Sequence, residues 1–296
     1  MGIFKKPKVL IISSVAALLI VVATVAAFVL LLPPKSVGFF GVDPDSPQIR
    51  QMQELLEKEG YRICFSDDLA DLKSVDCAAW IVRAETDETA QKVLDAAGKK
   101  VLFIDRKPDL EVPIRFVGYD MAGAGKILAQ LISLLPLGGD SNEDGTVSCL
   151  VLTGPSGWNT EQWQEGLEAG MSQSALPIDI LQTLSGGFTE DTAKAAVSQI
   201  LSRYGRDIEV ILASSEVLAE GAAKAISGRG WTQGVDFYLL STGTLEKMEN
   251  RSGMAYVREE NYYNLLCDAL SDTIHGKAPT EYLLPFDLMN NSAPLQ

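Results

Sequence analysis

Histidine is almost missing from this chain: His275 is the only one in 296 residues. It sits in "TIHGK", where a helix is expected to end at Gly276 and the imidazole to cap a carbonyl. With no second histidine and no nucleophile elbow, hydrolysis built on a histidine base has no support. A phosphate cradle is lacking too. In "AGAGKI" Asp120 stands where a P-loop needs its first glycine, and Ile127 where it needs Ser or Thr. Basic residues are scarce, 25 against 39 acidic, for a net charge of −14. Residues 1–36 hold four of those lysines and no acid, so the remainder carries 21 basic against 39 acidic groups, or −18. A surface of that sign repels nucleic acid. Cysteines number four, Cys64, Cys77, Cys149 and Cys267. Three of them lie inside apolar strand-like runs, where cysteine serves as a small hydrophobe, and the set is expected to be mostly unpaired.

Charge is absent altogether from "VLIISSVAALLIVVATVAAFVLLL", residues 9–32. A run of this length can span a bilayer with some tilt. Lys5, Lys6 and Lys8 precede it, so residues 1–8 read as a cytoplasmic basic tail and residues 37–296 as extracytoplasmic. The rival reading is a cleaved signal peptide, but its apolar core would be shorter and would end in a small-residue site, whereas this run ends "FVLLLPP". The expectation is therefore a single-pass cell-membrane anchor. The run has no cysteine near its end, so a lipid-modified amino terminus is not supported.

From Val37 onward, short apolar runs alternate with amphipathic stretches, the pattern of parallel sheets with crossover helices. Strands are predicted at "VGFFGV", "YRICFS", "CAAWIV", "KVLFID", "RFVGY", "VSCLVLTG", "IDILQT", "IEVILASS", "DFYLLST", "GMAYV" and "YLLPF". Helices are predicted over 46–59, 86–97, 122–134, 160–173, 190–203, 216–227 and 260–275. So many strands exceed one comfortable doubly wound sheet, so two α/β lobes with a cleft between them are expected. The lobes are assigned as 37–119 plus 259–286 and 120–258 plus 287–296. The chain would cross between them near 119–121, 256–258 and 285–287, a three-strand hinge. "DDLADLKSVD" leaves little room for the crossover between the second and third strands, so one lobe reads as trimmed.

"DSNEDGTVS" spaces its oxygen-bearing side chains like the first nine positions of a calcium loop. Asp140, Asn142 and Asp144 fall at positions 1, 3 and 5, Gly145 at the sharp turn, the Thr146 carbonyl at 7 and Ser148 at 9. Val151 holds the place of the closing glutamate. Glu209, at the start of "IEVILASS", is the candidate to supply the last carboxylate, and hard oxygens with three negative charges suit calcium better than zinc. The rival is an ordinary Asx-rich turn.

"DSNEDGTVSCLVLTGPSG", "IEVILASSEVLAEGAAKAI" and "DFYLLSTGTLEKM" together resemble the galactose/glucose-binding members of the type I periplasmic binding proteins, over roughly residues 37–290. That family has a nine-residue calcium loop closed by a distant glutamate, which the resemblance maps to Asp140–Ser148 and Glu209. "KVLFIDRKP" is similar to the fourth-strand end of ribose-type relatives, which implies that Asp105 and Arg106 reach a sugar. The resemblance also marks departures. The family's His, Asp and Arg after "TGPSG" are replaced by Trp158, Thr160 and Gln164; its Asn, Asp and stacking Trp are replaced by Ser215, Ser241 and Phe188. Most of the charged grip on galactose or glucose is thereby gone, while Trp158 and Phe188 could still stack on an apolar ring face. Asp43, Trp80, Arg83 and Arg258, near predicted strand ends, complete the candidate ligand set.

What the resemblance implies is a non-enzymatic, membrane-anchored extracytoplasmic protein that binds a small, sugar-type solute between its lobes for ABC import or sensing. A permease or membrane receptor, and bilayer lipid at residues 9–32, would be its partners. The alternative is a non-transport sensor or scaffold that keeps the fold with a degenerate pocket.

Overall fold

The computed structural model describes residues 35–244 and 251–291. The expected tail and anchor, 1–8 and 9–32, lie outside the described residues, as does the second-lobe range beyond residue 291. Among the described residues no helix is long and apolar enough to cross a membrane.

The first half runs β1 (Ser36–Phe40), α1 (Pro47–Lys58), β2 (Arg62–Ser66), α2 (Asp71–Ser74), β3 (Ala79–Val82), α3 (Asp87–Ala97), β4 (Val101–Ile104) and β5 (Phe116–Tyr119). The second half runs α4 (Met121–Ser133), β6 (Val147–Thr153), α5 (Trp158–Met171), β7 (Ile178–Ser185), α6 (Glu190–Tyr204), β8 (Val210–Ala213), α7 (Glu216–Ser227), β9 (Tyr238–Thr244) and β10 (Gly253–Val257). The chain then returns through α8 (Glu259–Ile274), β11 (Glu281–Leu284) and β12 (Asp287–Asn290).

Two six-stranded sheets result, in the orders β2-β1-β3-β4-β5-β11 and β7-β6-β8-β9-β10-β12. All neighbours are parallel except β12, which runs antiparallel to β10. The two sheets repeat one strand order and differ in the direction of the sixth strand. β3, β4 and β8 are buried along their whole length, which is why their sequences are continuously apolar instead of alternating. In the first lobe α1 and α8 cover one face, and α2 and α3 the other. In the second lobe α4 and α5 cover one face and α6 and α7 the other.

Local signals start the helices where the pattern demands. Ser46 accepts the Ile49 N–H and Pro47 opens α1, whose Ile49, Met52 and Leu56 form one buried stripe. Thr86 caps α3, and Thr189 with Thr192 forms a reciprocal cap on α6. His275 ends α8, with Nδ1 2.7 Å from the Ser271 carbonyl.

Two elements differ from expectation. "YLLPF" is not one strand: it divides at Pro285, which cannot donate to a ladder, into β11 of the first sheet and, after Phe286, β12 of the second. The short crossover between β2 and β3 holds the four-residue helix α2, whose Leu72 is buried.

Helices α4 and α5 touch backbone to backbone. A Cβ on Gly166 would lie 2.0 Å from the Ala122 carbonyl oxygen, and one on Gly125 2.1 Å from that of Trp163. Gly166→Ala is expected to destabilise the protein by roughly 1–3 kcal/mol, because the obstacle is backbone and cannot rotate away. Thermal unfolding should shift down by several degrees, while Gly187→Ala, with open space around it, should leave the midpoint unchanged.

Candidate functional site

In open parallel sheets of this order, ligands bind beyond the carboxyl ends of the strands, at the point where strand order reverses. That point lies between β1 and β3 in one lobe and between β6 and β8 in the other. The segments after these strands, with the three chain crossings, define an interlobe cleft.

Two cavities occupy its hinge end. One, of about 330 Å³, is lined by Tyr119, Met121, Val257 and Phe286 from the crossings, by 214–217 after β8 and by 242–244 on β9. The other, of about 350 Å³, shares Tyr119 and Thr244 and adds Pro47, Gln48, Gln51, Glu259, Tyr262 and Tyr263. Both fall within the size range of small-molecule pockets. A cavity of about 370 Å³ lies against Val101, the first residue of β4, and Gly276–Pro279, the end where ligands do not bind in such sheets.

The lining is aromatic with protonated hydroxyls. Tyr119 stacks on Tyr262 with centroids 4.9 Å apart and meets Phe286 at 5.9 Å. Burial first, and then the Asp105 charge, pushes the Tyr119 and Tyr262 phenols far above their ordinary value. Burial and then Glu259 push Tyr263 up to about 12. All three hydroxyls therefore stay donors near neutral pH. The Tyr262 hydroxyl is buried without a protein partner. Glu216 Oε1 accepts both the backbone N–H and the hydroxyl of Thr244 at 2.5 Å, bracing β9 against the start of α7.

The residues expected from sequence are distributed as follows. Arg83 and Asp105, half-buried, form an ion pair, with Nε 2.6 Å from Oδ2. Asp105 adopts φ +64° at its strand end, and its carbonyl accepts from Asn159 Nδ2 of the opposite lobe at 3.1 Å. Arg106 turns to Asp87 at 2.7 Å. The Asp109 backbone N–H, and then Arg106, hold that carboxyl below the usual carboxylate range. Trp158 opens α5 and packs edge-on against Phe116 of the first lobe, centroids 5.4 Å apart. Phe188 packs into the second lobe's own core before α6. Asp43 and Arg258 are exposed, after β1 and before α8. Trp80 is a correction: it is 1 % exposed inside the first lobe's core, its ring lying where a side chain on Gly38 would be. Because β3 is buried on both faces, an indole in its middle packs inward.

Sequence reasoning missed Tyr119, Tyr262, Glu216, Thr242, Thr244 and Phe286 as lining residues. The signal that could have found them was at hand, since the expected crossings near 119–121 and 285–287 flank the cavity.

The 140–148 loop and Glu209 do meet. Glu209, 2 % exposed, accepts the Ser141 and Asn142 N–H groups on Oε1 at 2.6 and 3.1 Å and the Ser148 N–H on Oε2 at 2.8 Å. Asp140 accepts from Asp144 and Gly145, and Asp144 from Thr146. The donor chemistry suits a hard cation. In this arrangement the oxygens of Asp140 and Glu209 accept from backbone N–H groups of the loop. Among the described residues no three or more His, Cys, Asp or Glu side chains are placed to hold a metal ion.

Residues 37–248 match the family model described as periplasmic binding protein domain, and the chain belongs to that family. Solved structures share the fold. The arabinose-transporter binding component from Shewanella sp. ANA-3, bound to L-arabinofuranose, superposes with a TM-score of 0.71 at 16 % identity, over 87 % of this chain and 92 % of that one. A solute-binding protein from Actinobacillus succinogenes 130z with bound D-allose gives 0.68 at 15 %, over 88 % and 98 %. The transcription regulator CcpA of Lactococcus lactis gives 0.66 at 12 %, over 87 % and 98 %. No curated protein matches. Family membership places the chain among binding proteins, not enzymes.

Trp158 and Asn159 are the second lobe's grip on the first. An edge-on aromatic pair contributes about 0.5–1.5 kcal/mol and a hydrogen bond a similar amount. The double variant Trp158→Ala, Asn159→Ala is expected to shift the closed-to-open ratio roughly 5- to 100-fold toward open, read as a larger radius of gyration in solution scattering.

Proposed function

We propose that this protein binds a small, sugar-type solute at the hinge end of its interlobe cleft, serving ABC import or sensing from the outer face of a membrane. The observation that carries this reading is the cavity wall itself. Stacked phenol faces suit the apolar face of a sugar ring, and Ser214, Ser215, Thr242, Thr244 and the unpartnered Tyr262 hydroxyl supply hydrogen bonds. The solutes bound by the arabinose- and allose-binding structures support the substrate class. A ligand touching both walls would favour the closed state by its differential affinity. Asp43, Arg83, Asp105, Arg106, Trp158, Phe188 and Arg258 remain the proposed outer cleft, where Arg83–Asp105 is the pair placed to meet hydroxyls. The anchor at 9–32 rests on its charge-free length. Titration calorimetry against pentoses and hexoses, furanose-forming ones included, is expected to find one that binds, with Tyr119→Ala weakening it about 10-fold or more. Silence across the panel from folded protein would overturn the reading.

The second reading, a sensor or scaffold with a degenerate pocket, is favoured by the Trp158–Phe116 and Asn159–Asp105 contacts, which already bridge the lobes. A regulator of the same fold keeps it in view.

The 140–148 loop is fastened, in this proposal, by Glu209 alone, and calcium is not needed for folding. Chelation is expected to leave the unfolding midpoint within about 2 °C, whereas Glu209→Gln should cost roughly 2–4 kcal/mol through lost charge-assisted bonds. A large upward shift with added calcium would restore the metal expected from the spacing.

A further inference from the structure

We propose that Cys64 and Cys77 join in an intramolecular disulfide when the chain is exposed to an oxidising compartment, the oxidant being the disulfide of a thiol oxidase. Cys64 is half-buried on β2, and Cys77 is 1 % exposed in the loop entering β3. Their sulfurs stand 3.2 Å apart, about 1 Å beyond the length of a disulfide bond.

The sheet brings them together across β1. Cys64 is in register with Gly38, and Gly38 with Trp80, so all three face the same side. With no side chain on Gly38, the Trp80 ring lies down over β1. The Cys64 thiol then donates to the Val37 carbonyl at 3.7 Å, beside Cys77.

The place explains the use. The β2–β3 crossover has only the short α2 where a full helix would ordinarily brace the sheet. A bond between its two ends closes that loop and limits the unfolded chain.

Chemistry assigns the order. Burial, and next the Cys64 neighbour, pushes the Cys77 thiol up to about 12, so the more exposed Cys64 meets the oxidant. Its thiolate attacks one sulfur of the oxidant's disulfide and releases the other as a thiol. Cys77 then loses its proton and displaces the second oxidant sulfur from Cys64. Two protons and two electrons leave the chain, and the oxidant becomes a dithiol. Cys149, fully buried in the other lobe, and Cys267, on α8, stay reduced.

Trypsin decides the matter, because Lys73 separates the two cysteines into peptides 63–73 and 74–83. The full chain is treated with oxidised glutathione, alkylated with N-ethylmaleimide under denaturant and digested without reductant. The expected result is a joined pair two hydrogens lighter than its parts, with alkylation only at Cys149 and Cys267. Reductant should lower the unfolding midpoint by roughly 5–10 °C, and Cys64→Ser should abolish that sensitivity. Should that variant not fold, the wild-type alkylation pattern decides alone. Four alkylated thiols, or a joined pair of any other composition, would overturn the proposal.

Discussion

Phe286 is packed into two cores at once. Its ring lies against the first lobe's cluster around Val117 and Tyr262 and against the second lobe's cluster around Leu131 and Ala255. Everything else in the molecule depends on this crossing, because Pro285 stops β11 and Phe286 hands the chain to β12 in the other sheet. Two sheets that share an aromatic residue cannot drift apart as beads on a string; they can only rotate about the hinge. Tyr119, stacked on Tyr262 and touching Phe286, makes the same pivot into a wall of the cleft. The hinge is thus also an aromatic wall of the cleft.

The cleft is already partly filled by the protein itself. Trp158, at a position where the resemblance expects a hydrogen-bonding group, and its neighbour Asn159 reach the opposite lobe and touch Phe116 and the Asp105 carbonyl. Arg106 and Arg83 each hold a carboxylate of the chain, so a solute would meet them as ion pairs and not as free charges. The hydroxyl and aromatic surface near the hinge moves the proposed solute inward from the positions the resemblance suggested.

Much of the fold was legible in the order of apolar and amphipathic runs, because β3, β4 and β8 are buried on both faces and cannot be written in alternating residues. The pairing of Glu209 with a loop some sixty residues earlier was legible from its place at the head of a strand beside β6; the Glu209 N–H indeed donates to the Ser148 carbonyl at 2.9 Å. The site was legible only in part. Trp80 was read as cleft because it lies near a strand end, but a strand position does not say which way a ring lies. That was decided by Gly38 on the neighbouring strand, which leaves the space the indole fills.

The sequence by itself determined the class of structure, the number of lobes and the three crossings, since these follow from periodicity, length and composition, which are local quantities. Only the tertiary structure decided which side chains share a space: that Phe286 belongs to both cores, that the carboxylate of Glu209 is spent on backbone N–H groups, and that Cys64 and Cys77 meet across a glycine. Those facts depend on register between strands distant in the chain, and register is set by the packing of the whole sheet.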